Sequence, residues 1–343
     1  SRGLGDVYKR QIQYWLSFKS KKVKFKKILL TGAAGFIGSH VYDLFSEKYC
    51  EAEITILDKM TYAANIRNIP QITTNKKHKL VVGDLTDMDI CLKATKNIDL
   101  VINLAAESHV DNSFDNSIIF SKSNTLGTHT LMEACKRNKV DKIIHVSTDE
   151  VYGENIEKPF SEEDPLNPTN PYSASKAAAE MIVRGYFKSF DLPVIVVRSN
   201  NIYGIRQYPE KIIPKFIVNC IKKEPIKIHG DGLNLRHYLS AVDFANALDL
   251  LSNNGKEGEI YNIASDLELT NIAVSKLIKS FFDYEIDVIH VNNRPFNDKI
   301  YTIDSSKIKK LGWREKSIFK KKSLSFSTFK SKDNDFFSLF WHI

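Results

Sequence analysis

The chain has 343 residues, 43% of them hydrophobic, which is enough to bury a full core in two domains or in one α/β domain with an added lobe. No run of 18 apolar residues occurs, so we expect no membrane-spanning helix and no membrane partner. The lysines behind the net charge of +8 concentrate in residues 19–27 and 307–332, a pattern that gives no specific support for a nucleic-acid partner.

The four cysteines lie far apart in the chain and form no paired spacing. This pattern predicts neither a metal site nor a disulfide framework and agrees with a reducing, cytoplasmic location. Residues 1–25 show no apolar periodicity that leads into a fold, and they lack the apolar core of a secretory signal. We therefore expect residues 1–25 to be a leader outside the fold.

The first folded stretch has the pattern strand, glycine turn, helix, strand. Apolar runs over residues 27–31 and 54–58 predict the two strands. The turn between them carries Gly32, Gly35 and Gly38. In this context the first glycine permits a tight turn, the second lets the backbone approach a pyrophosphate, and the third lets the helix pack closely while its N-terminus faces the anion. The stretch therefore predicts a dinucleotide-binding site.

The second strand ends at Asp58, where a carboxylate can accept hydrogen bonds from the ribose hydroxyls of adenosine. The same carboxylate would repel a 2′-phosphate, which favours NAD over NADP. The neighbouring Lys59 weakens this repulsion.

The alternation of strands and helices continues along the chain. Apolar runs over residues 80–84 and 99–106 predict two further strands with a helix between them. Such alternation predicts an α/β fold with a doubly wound parallel sheet of the Rossmann type. The residues that we expect beside the adenine or elsewhere along the cofactor are Asp84, Leu85, Ala105 and Ala106.

Two adjacent carboxylates, Asp149 and Glu150, follow an apolar run over residues 143–146, which itself follows a long helix predicted over residues 113–138. In an open α/β sheet, ligands bind at the carboxyl ends of the strands. Two carboxylates suit a reaction that removes a proton from one atom and donates a proton to another. An exposed acidic turn is the alternative for the pair taken alone.

Tyr172 and Lys176 lie four residues apart at the start of a predicted helix, so their side chains share one face. We expect the ammonium to lower the pKa of the phenol towards neutral, which would make the phenolate a base for oxidising an alcohol. By itself the pair is better explained as an ordinary surface pair, and the preceding motifs favour the catalytic interpretation.

After a strand predicted over residues 193–198, short elements broken by proline and glycine replace the regular alternation. We predict a Rossmann domain over residues 26–198, a smaller and mainly substrate-binding lobe over residues 199–313, and an atypical tail over residues 314–343. A diphosphate needs several cationic donors, and the lobe offers Lys211, Lys227, Arg236 and Arg294.

These motifs together resemble the extended short-chain dehydrogenase/reductase family, and specifically its nucleotide-sugar 4,6-dehydratases of the dTDP-glucose type. The resemblance covers about residues 26–313 and rests on TGAAGFIGSH, NLAAESHVDNSF, HVSTDEVYGE, NPYSASKA, SNNIYG with YPEKIIPKF, HGDGLNLRHYL and NRPFND. The motif NRPFND is also similar to that of UDP-glucose dehydratases, so the nucleotide base stays open between dTDP and UDP.

The resemblance implies a three-step reaction on one bound NAD: oxidation at C4 of the sugar, loss of water from C5 and C6, and reduction at C6. Tyr172, assisted by Lys176 and Thr148, would take the proton of the 4-hydroxyl. Glu150 would remove the C5 proton while Asp149 protonates the departing 6-hydroxyl. For this step Asp149 must be protonated while Glu150 is ionised.

The resemblance also implies the binding residues and the assembly. The cofactor contacts would come from Gly32, Gly35, Phe36, Ile37, Gly38, Asp58, Lys59, Asp84, Leu85, Ala105, Ala106, Tyr172 and Lys176. The substrate contacts would come from Ser108, Asn201, Lys211, Ile212, Lys227, His229, Arg236, Arg294 and Asn297. A homodimer is expected through the helices predicted over residues 113–138 and 172–190.

Two competing hypotheses remain at this point. A nucleotide-sugar 4-epimerase would need the same NAD, Tyr172 and Lys176, but not the carboxylate pair. A catalytically silent NAD-binding protein is suggested by the unusual leader and tail. Ile300 stands where the family usually has an arginine, so the resemblance is incomplete at one phosphate or register contact. The presence of every catalytic residue type argues against the silent protein.

Overall fold

The structure is a computed structural model, which describes residues 24–154, 158–292 and 302–317. The expectations for Arg294, Asn297 and Ile300, and for most of the leader and the tail, lie outside the described residues.

The strands form a main sheet and two small sheets. In chain order they are β1 (Lys27–Thr31), β2 (Glu53–Asp58), β3 (His78–Val82), β4 (Leu100–Asn103), β5 (Lys142–Val146), β6 (Val194–Ser199), β7 (Asn201–Tyr203), β8 (Ile226–His229), β9 (Leu235–Ser240), β10 (Ile260–Ile263), β11 (Glu268–Thr270) and β12 (Val288–Val291). The main sheet has seven strands in the order β10-β6-β5-β4-β1-β2-β3, and all its neighbours are parallel.

The helices cover both faces of the main sheet. They are α1 (Phe36–Lys48), α2 (Gln71–Thr74), α3 (Met88–Ala94), α4 (Val110–Asp115), α5 (Ser117–Phe120), α6 (Gly127–Asn138), α7 (Pro171–Phe190), α8 (Ile212–Lys222), α9 (Ala241–Asn254), α10 (Asn271–Lys279) and α11 (Ser306–Lys310), with a π-helical turn at Ser121–Leu126 and 3₁₀ turns at Ile66–Asn68 and Asp149–Tyr152. In the part of the chain that the structure describes, none of these helices is both long and apolar enough to cross a membrane.

The side chains of the central strand β1 are buried on both faces of the sheet. Ile28, Leu29 and Leu30 are all fully buried, as a strand between two helical layers requires. Ile28 and Leu30 belong to the core layer formed with α1 and α9, whereas Leu29 belongs to the opposite layer formed with α3, α6 and α7. The predicted doubly wound Rossmann fold is therefore confirmed.

The prediction of one continuous helix over residues 113–138 is wrong. The helix is interrupted at Asn116, whose φ of −144° and ψ of 65° are not helical and end α4. It then widens into the π-helical turn, which contains the buried Asn124. The Asn124 side chain bonds both backbone groups of Glu107, and its amide donates to Ser175 Oγ at 2.9 Å. The wider turn thus ties the loop after β4 to α7, which is the kind of place where π-helical turns are common.

The smaller lobe forms its own core beside the carboxyl ends of the main strands. Its strands make the sheet β11-β9-β7 and the parallel pair β12-β8, and α8 and α10 pack with them around residues such as Phe216 and Tyr238. Three elements from the range 199–313 return to the main body: β10 extends the main sheet, α9 packs against α1, and α11 packs against β10. The lobe is therefore discontinuous in the sequence.

The boundaries of the fold differ from the expected ones at the N-terminal side. Phe25, which we placed in the leader, is only 4% exposed and packs edge-on against Tyr49 with ring centroids 5.9 Å apart. At the other end, Trp313 is 4% exposed, and its indole N–H donates to the carbonyl of Asp243. The backbone N–H groups of Lys316 and Ser317 donate to the Asp243 carboxylate, so this segment is anchored to the start of α9.

We predict that Trp313→Ala destabilises the protein by about 3–5 kcal/mol, because it leaves a large cavity beside α9. Trp313→Phe keeps most of the ring volume and loses mainly the hydrogen bond to Asp243, so it should cost about 1 kcal/mol. Urea unfolding followed by circular dichroism checks both values. Equal effects of the two substitutions would show that the packing of this indole is not what anchors the segment.

Candidate active site

A cavity of about 460 Å³ lies between the carboxyl ends of the main strands and the smaller lobe. Every residue that we assigned to the chemistry, the cofactor or the substrate lines this cavity, apart from Arg294 and Asn297, which the structure does not describe. Residues from both halves of the chain are therefore brought together at one place.

The glycine turn forms a tight floor at one end of the cavity. Gly32 has a φ of +68°, and a Cβ there would lie 2.7 Å from the Cα of Ala105. A Cβ on Gly38 would lie 2.4 Å from the carbonyl oxygen of Gly32. Helix α1 begins at Phe36, and its N-cap residue Gly35 has no side chain to bond the first N–H groups. The turn therefore presents free backbone donors and a helix N-terminus to an anion.

Asp58 lies at the end of β2 and is 7% exposed. Its two carboxylate oxygens accept hydrogen bonds from the backbone N–H groups of Ala34, at 2.9 Å, and Met60, at 2.8 Å. Burial raises the pKa of Asp58, and the two N–H donors oppose that rise. The ammonium of Lys59 pairs with Asp84 at 2.8 Å, so Lys59 does not pair with Asp58.

Asp149 is the most buried acid of the cavity, with 3% exposure. Its Oδ2 accepts a hydrogen bond from the amide of Asn200 at 2.8 Å, and its Oδ1 accepts one from the hydroxyl of Thr148 at 3.2 Å. Burial raises the pKa of Asp149 to about 7, and the neighbouring Glu150 adds to the rise, while Asn200, Thr148 and the charge of Arg236 oppose it. Asp149 can therefore carry a proton near neutral pH.

Glu150 lies next to Asp149 in the 3₁₀ turn Asp149–Tyr152, which we call the acid turn. Thr148 caps this turn, because its hydroxyl oxygen accepts the N–H of Glu150 at 3.3 Å. The Glu150 carboxylate accepts a hydrogen bond from the amide of Asn170 at 3.3 Å, and Glu150 is only partly buried. The two carboxyl groups thus occupy different environments, which is the arrangement that gives two acids different roles.

Tyr172 and Lys176 lie in the first turns of α7, which begins at Pro171 behind a capping box formed by Asn170 and Ser173. Both side chains are buried, at 9% and 5% exposure. The Lys176 ammonium donates to the carbonyl of Val146 at 2.7 Å, which anchors it to the end of β5. Burial lowers the pKa of Lys176 to about 8.

The expected lowering of the Tyr172 pKa by Lys176 is wrong for this structure. Burial raises the pKa of the phenol, the charges of Glu150 and Asp149 raise it further, and a hydrogen bond with Thr148 only partly opposes them. The reason is that the Lys176 ammonium bonds the Val146 carbonyl, whereas the groups acting on the phenol are carboxylates and a low-dielectric surrounding. Tyr172 is therefore a neutral phenol at neutral pH in this arrangement.

The smaller lobe contributes cations to the opposite wall. Lys227 on β8, Arg236 on β9 and Lys211 before α8 all line the cavity. The Lys211 ammonium donates to the carbonyl of Ser108 at 2.9 Å, so it bridges the lobe and the loop after β4. This wall suits an anionic group such as a diphosphate.

The family model described as GDP-mannose 4,6 dehydratase matches residues 29–322 of the chain. The chain belongs to this family. The predicted relationship to extended short-chain dehydrogenase/reductase enzymes is therefore confirmed.

Named relatives of the family share much of this sequence. The trifunctional UDP-glucose 4,6-dehydratase/UDP-4-keto-6-deoxy-D-glucose 3,5-epimerase/UDP-4-keto-L-rhamnose-reductase of Arabidopsis thaliana is 46% identical over 302 residues, which are 86% of this chain and 45% of that protein. The chain thus spans about half the length of this relative. The dTDP-D-glucose 4,6-dehydratase of Homo sapiens is 43% identical, with 86% of this chain and 87% of that protein covered.

The fold agrees with a solved dehydratase of the family. The dTDP-glucose 4,6-dehydratase of Streptomyces venezuelae, crystallised with NAD bound, superposes with a TM-score of 0.82 at 35% identity. The superposition covers 85% of this chain and 93% of that chain.

Two asparagines of this site were not predicted from the sequence. Asn201 was predicted from the motif SNNIYG and lines the cavity, but the neighbouring Asn200 is the residue that bonds Asp149, and its own Oδ1 accepts the N–H of Ser265 at 3.1 Å. Asn170 both caps α7 and bonds Glu150. Asn200 directly follows β6, so the rule that ligands and reactive groups lie at strand ends could have found it. The pattern Asn-Pro before an apolar helix could have identified Asn170 as a cap, but not its bond to Glu150.

We predict that Asp149→Asn makes the protein more thermostable at pH 8 and changes its stability little at pH 4. The folded-state pKa of about 7 lies above the ordinary value of 3.8, so the stability that the protonated acid contributes is fully present below about pH 4 and is lost as pH rises through 7. Asparagine cannot ionise and avoids this loss. Each 1 kcal/mol should appear as roughly 2–4 °C in the melting temperature.

Calorimetry from pH 4 to 8 measures this difference, and Asp304→Asn provides a control of opposite sign. A hydrogen bond from Ser306 lowers the pKa of Asp304, so its contribution is present at high pH and is lost as pH falls. Parallel melting curves of wild type and Asp149→Asn across the whole range would contradict a raised pKa at Asp149.

Proposed function

We propose that the protein is an NAD-dependent nucleotide-sugar 4,6-dehydratase that converts dTDP-glucose or UDP-glucose to the 4-keto-6-deoxy sugar nucleotide and water. The observation that carries this proposal is the pair of carboxyls in the acid turn, of which one has a pKa of about 7, beside a buried tyrosine and lysine. The named relatives, which are dTDP- and UDP-glucose 4,6-dehydratases, support the same reaction. Incubation with each nucleotide sugar and mass analysis of the product tests it.

The residues at the glycine turn fit a dinucleotide. The turn leaves no room for a Cβ at Gly32 or Gly38, so only backbone faces the space that a pyrophosphate would occupy. Asp58 presents a carboxylate for ribose hydroxyls, and the Lys59 charge is taken up by Asp84. NAD bound there would accept hydride from C4 of the sugar and return it at C6. The binding of NAD in the related dehydratase of known structure supports this assignment.

We propose that Tyr172 takes the proton of the sugar 4-hydroxyl. Because the pKa of the Tyr172 phenol is raised, the phenol must first release its own proton to solvent before it can act as a base. Thr148 is its hydrogen-bond partner. Lys176 would assist from the same face of the helix, since its buried ammonium keeps a charge below a pKa of about 8. The Val146 carbonyl holds the ammonium in place.

Glu150 and Asp149 would divide the elimination between them. Oxidation at C4 makes the C5 proton acidic, and Glu150, the more exposed carboxyl, would remove it as a general base. Asp149 would give its proton to the departing 6-hydroxyl, which leaves as water. Asn200 donates to Oδ2 of Asp149 and Thr148 donates to Oδ1, so these two bonds fix the orientation of the carboxyl group.

The same observations give less support to the two competing hypotheses. A 4-epimerase has no need of a buried carboxylic acid with a pKa near 7, and Asp149 provides one. A silent NAD-binding protein has no need to keep Tyr172, Lys176 and two carboxyls in one cavity, and all four line it.

We also propose that residues 26–198 mainly bind NAD, that the lobe within residues 199–313 mainly binds the nucleotide diphosphate, and that the protein is a cytoplasmic homodimer. Apolar side chains exposed on the outer faces of α5 and α7 support the dimer, among them Ile118 at 79% and Met181 at 46% exposure. The cysteines are all free, which agrees with a reducing compartment.

We predict that the protein binds NAD more tightly than NADP, and that Asp58→Ala weakens NAD binding by about tenfold or more and narrows the preference. The expected loss is that of hydrogen bonds to a charged group. Asp58→Asn should narrow the preference with a smaller loss of NAD affinity, because it removes the charge but keeps one acceptor for the backbone. Calorimetric titration of all three proteins checks this, and equal affinity of the wild type for both dinucleotides would contradict the role of Asp58.

We predict that Glu150→Gln slows product formation by ~10²- to 10⁴-fold, the usual cost of losing a positioned general base. Oxidation at C4 should persist, because Tyr172 and Lys176 are unchanged. Rapid quenching into borodeuteride should therefore trap a 4-keto-glucose nucleotide, while exchange of solvent deuterium into C5 is lost.

Glu163→Gln is the matched control, because Glu163 is exposed and does not line the cavity. It should turn over like the wild type. If Glu150→Gln also formed the 4-keto-6-deoxy sugar at the wild-type rate, the base at C5 would have to be another group.

A further inference from the structure

A buried ion pair joins Arg198 on β6 to Glu180 on α7, outside the cavity. The two side chains are 1% and 0% exposed. The Arg198 Nε lies 3.1 Å from both carboxylate oxygens of Glu180, and the Nη2 lies 2.6 Å from Oε2. Neither residue lines the cavity. The pair therefore contacts neither substrate nor cofactor, and any part that it plays in the reaction must act through other residues.

The pair connects the segments that carry the reactive groups. Glu180 is one turn beyond Lys176 and two turns beyond Tyr172 on α7, so the three side chains share one face of the helix. Arg198 lies two residues before Asn200, which bonds Asp149.

The guanidinium of Arg198 also holds the end of the acid turn. It lies 4.5 Å from the ring centroid of Tyr152, the last residue of that turn, in cation–π contact. The Tyr152 ring stacks on Phe160 at 4.9 Å, and its hydroxyl donates to Asn262 at 2.9 Å. The acid turn is therefore fixed to β6 and β10 through this one tyrosine.

We propose that the Arg198–Glu180 pair is a positioning element of the reaction, which locks the helix of Tyr172 and Lys176 to the acid turn and places a negative charge one turn from Lys176. This inference rests on the proposed dehydratase function. It assigns Glu180, Arg198 and Tyr152 to the support of the reactive groups.

Stability alone does not account for such a pair. Removing two charges from water costs several kcal/mol for each ion, and apolar residues of similar volume often replace a buried pair without loss of stability. A planar guanidinium that bonds a carboxylate through two nitrogens, however, fixes distance and direction in a way that apolar packing does not. The Arg198–Glu180 geometry therefore fits a requirement for position better than a requirement for stability.

The charge of Glu180 also acts on Lys176. Burial lowers the pKa of Lys176, and the Glu180 carboxylate is the charge that opposes this effect. The neutral, buried His145 on β5 also faces the ammonium, while the acid turn presents its carboxylates to the Tyr172 phenol. Removing the charge of Glu180 would therefore leave Lys176 with a still lower pKa.

The first test is Glu180→Gln, which keeps the shape of the side chain and removes its charge. A ¹⁵N NMR titration of the lysine ammonium groups, assigned with Lys176→Met, should show the Lys176 pKa lowered by about one unit, within the range for an opposite charge nearby. The alkaline limb of kcat should move down by the same amount, with KM within twofold of the wild type. An unchanged Lys176 pKa would overturn the proposed action of Glu180.

Asp249→Asn is the matched control for this substitution. Asp249 is also a buried carboxylate, at 7% exposure, and it pairs with Lys48 and accepts the hydroxyl of Tyr49 on the far side of the main body. It should lower stability without moving the Lys176 pKa or the alkaline limb of kcat. A shift as large as that of Glu180→Gln would mean that loss of stability, and not the nearby charge, moves Lys176.

The second test is the double substitution Arg198→Met with Glu180→Leu, which replaces the pair with apolar side chains. We expect unfolding close to that of the wild type, a fall in kcat of about 10²-fold as for misplaced reactive groups, and KM within twofold. A folded double variant with the wild-type kcat would overturn the positioning role. If the double variant did not fold, Glu180→Gln would still test the part of the proposal that concerns the charge of Glu180 beside Lys176.

The proposed function and this inference are tested by different measurements. Wild-type protein that turns over neither dTDP-glucose nor UDP-glucose would refute the dehydratase. The NMR titration of Lys176 needs no turnover, so it tests the effect of Glu180 on Lys176 in either case.

Discussion

All strands of the main sheet are parallel, so their carboxyl ends meet at one edge, and the rest of the site depends on this constraint. Asp58 ends β2, the acid turn follows β5, and Asn200 follows β6. Because the smaller lobe is built from chain that leaves the sheet after β6, its cations face the same edge. One topological rule thus places a carboxylate for a ribose, a pair of acids and a cationic wall around one cavity.

Burial at this edge sets the chemistry of the groups. The low dielectric that raises the pKa of Asp149 to about 7 also lowers that of Lys176 to about 8, which brings an acid and a cation into the neutral range from opposite directions. Each buried group keeps a hydrogen-bond partner, Asn200 for Asp149 and the Val146 carbonyl for Lys176. The partners fix the orientation of the groups, and burial fixes their protonation.

Much of the fold followed from local pattern. The strands β1 and β5, the glycine turn and the start of α7 were predicted within a residue or two, because apolar runs, glycine spacing and the spacing of Tyr172 and Lys176 act over a few neighbouring residues. The prediction of one long helix over residues 113–138 was wrong, because its interruptions depend on tertiary contacts and not on a local pattern. Its break at Asn116 and its π-helical turn serve contacts of Asn124 with Glu107 and Ser175, and no helical periodicity encodes such contacts.

The sequence by itself determined the alternation of strands and helices, the dinucleotide turn and the types of the reactive residues. Only the tertiary structure decided their partners. Asn200 bonds Ser265, which is 65 positions further along the chain, and Arg198 on β6 pairs with Glu180 on α7. The raised pKa of Tyr172 likewise depends on burial and on carboxylates from another segment. Spacing along a helix fixes which side chains share a face, whereas desolvation and distant charges exist only once the layers have packed.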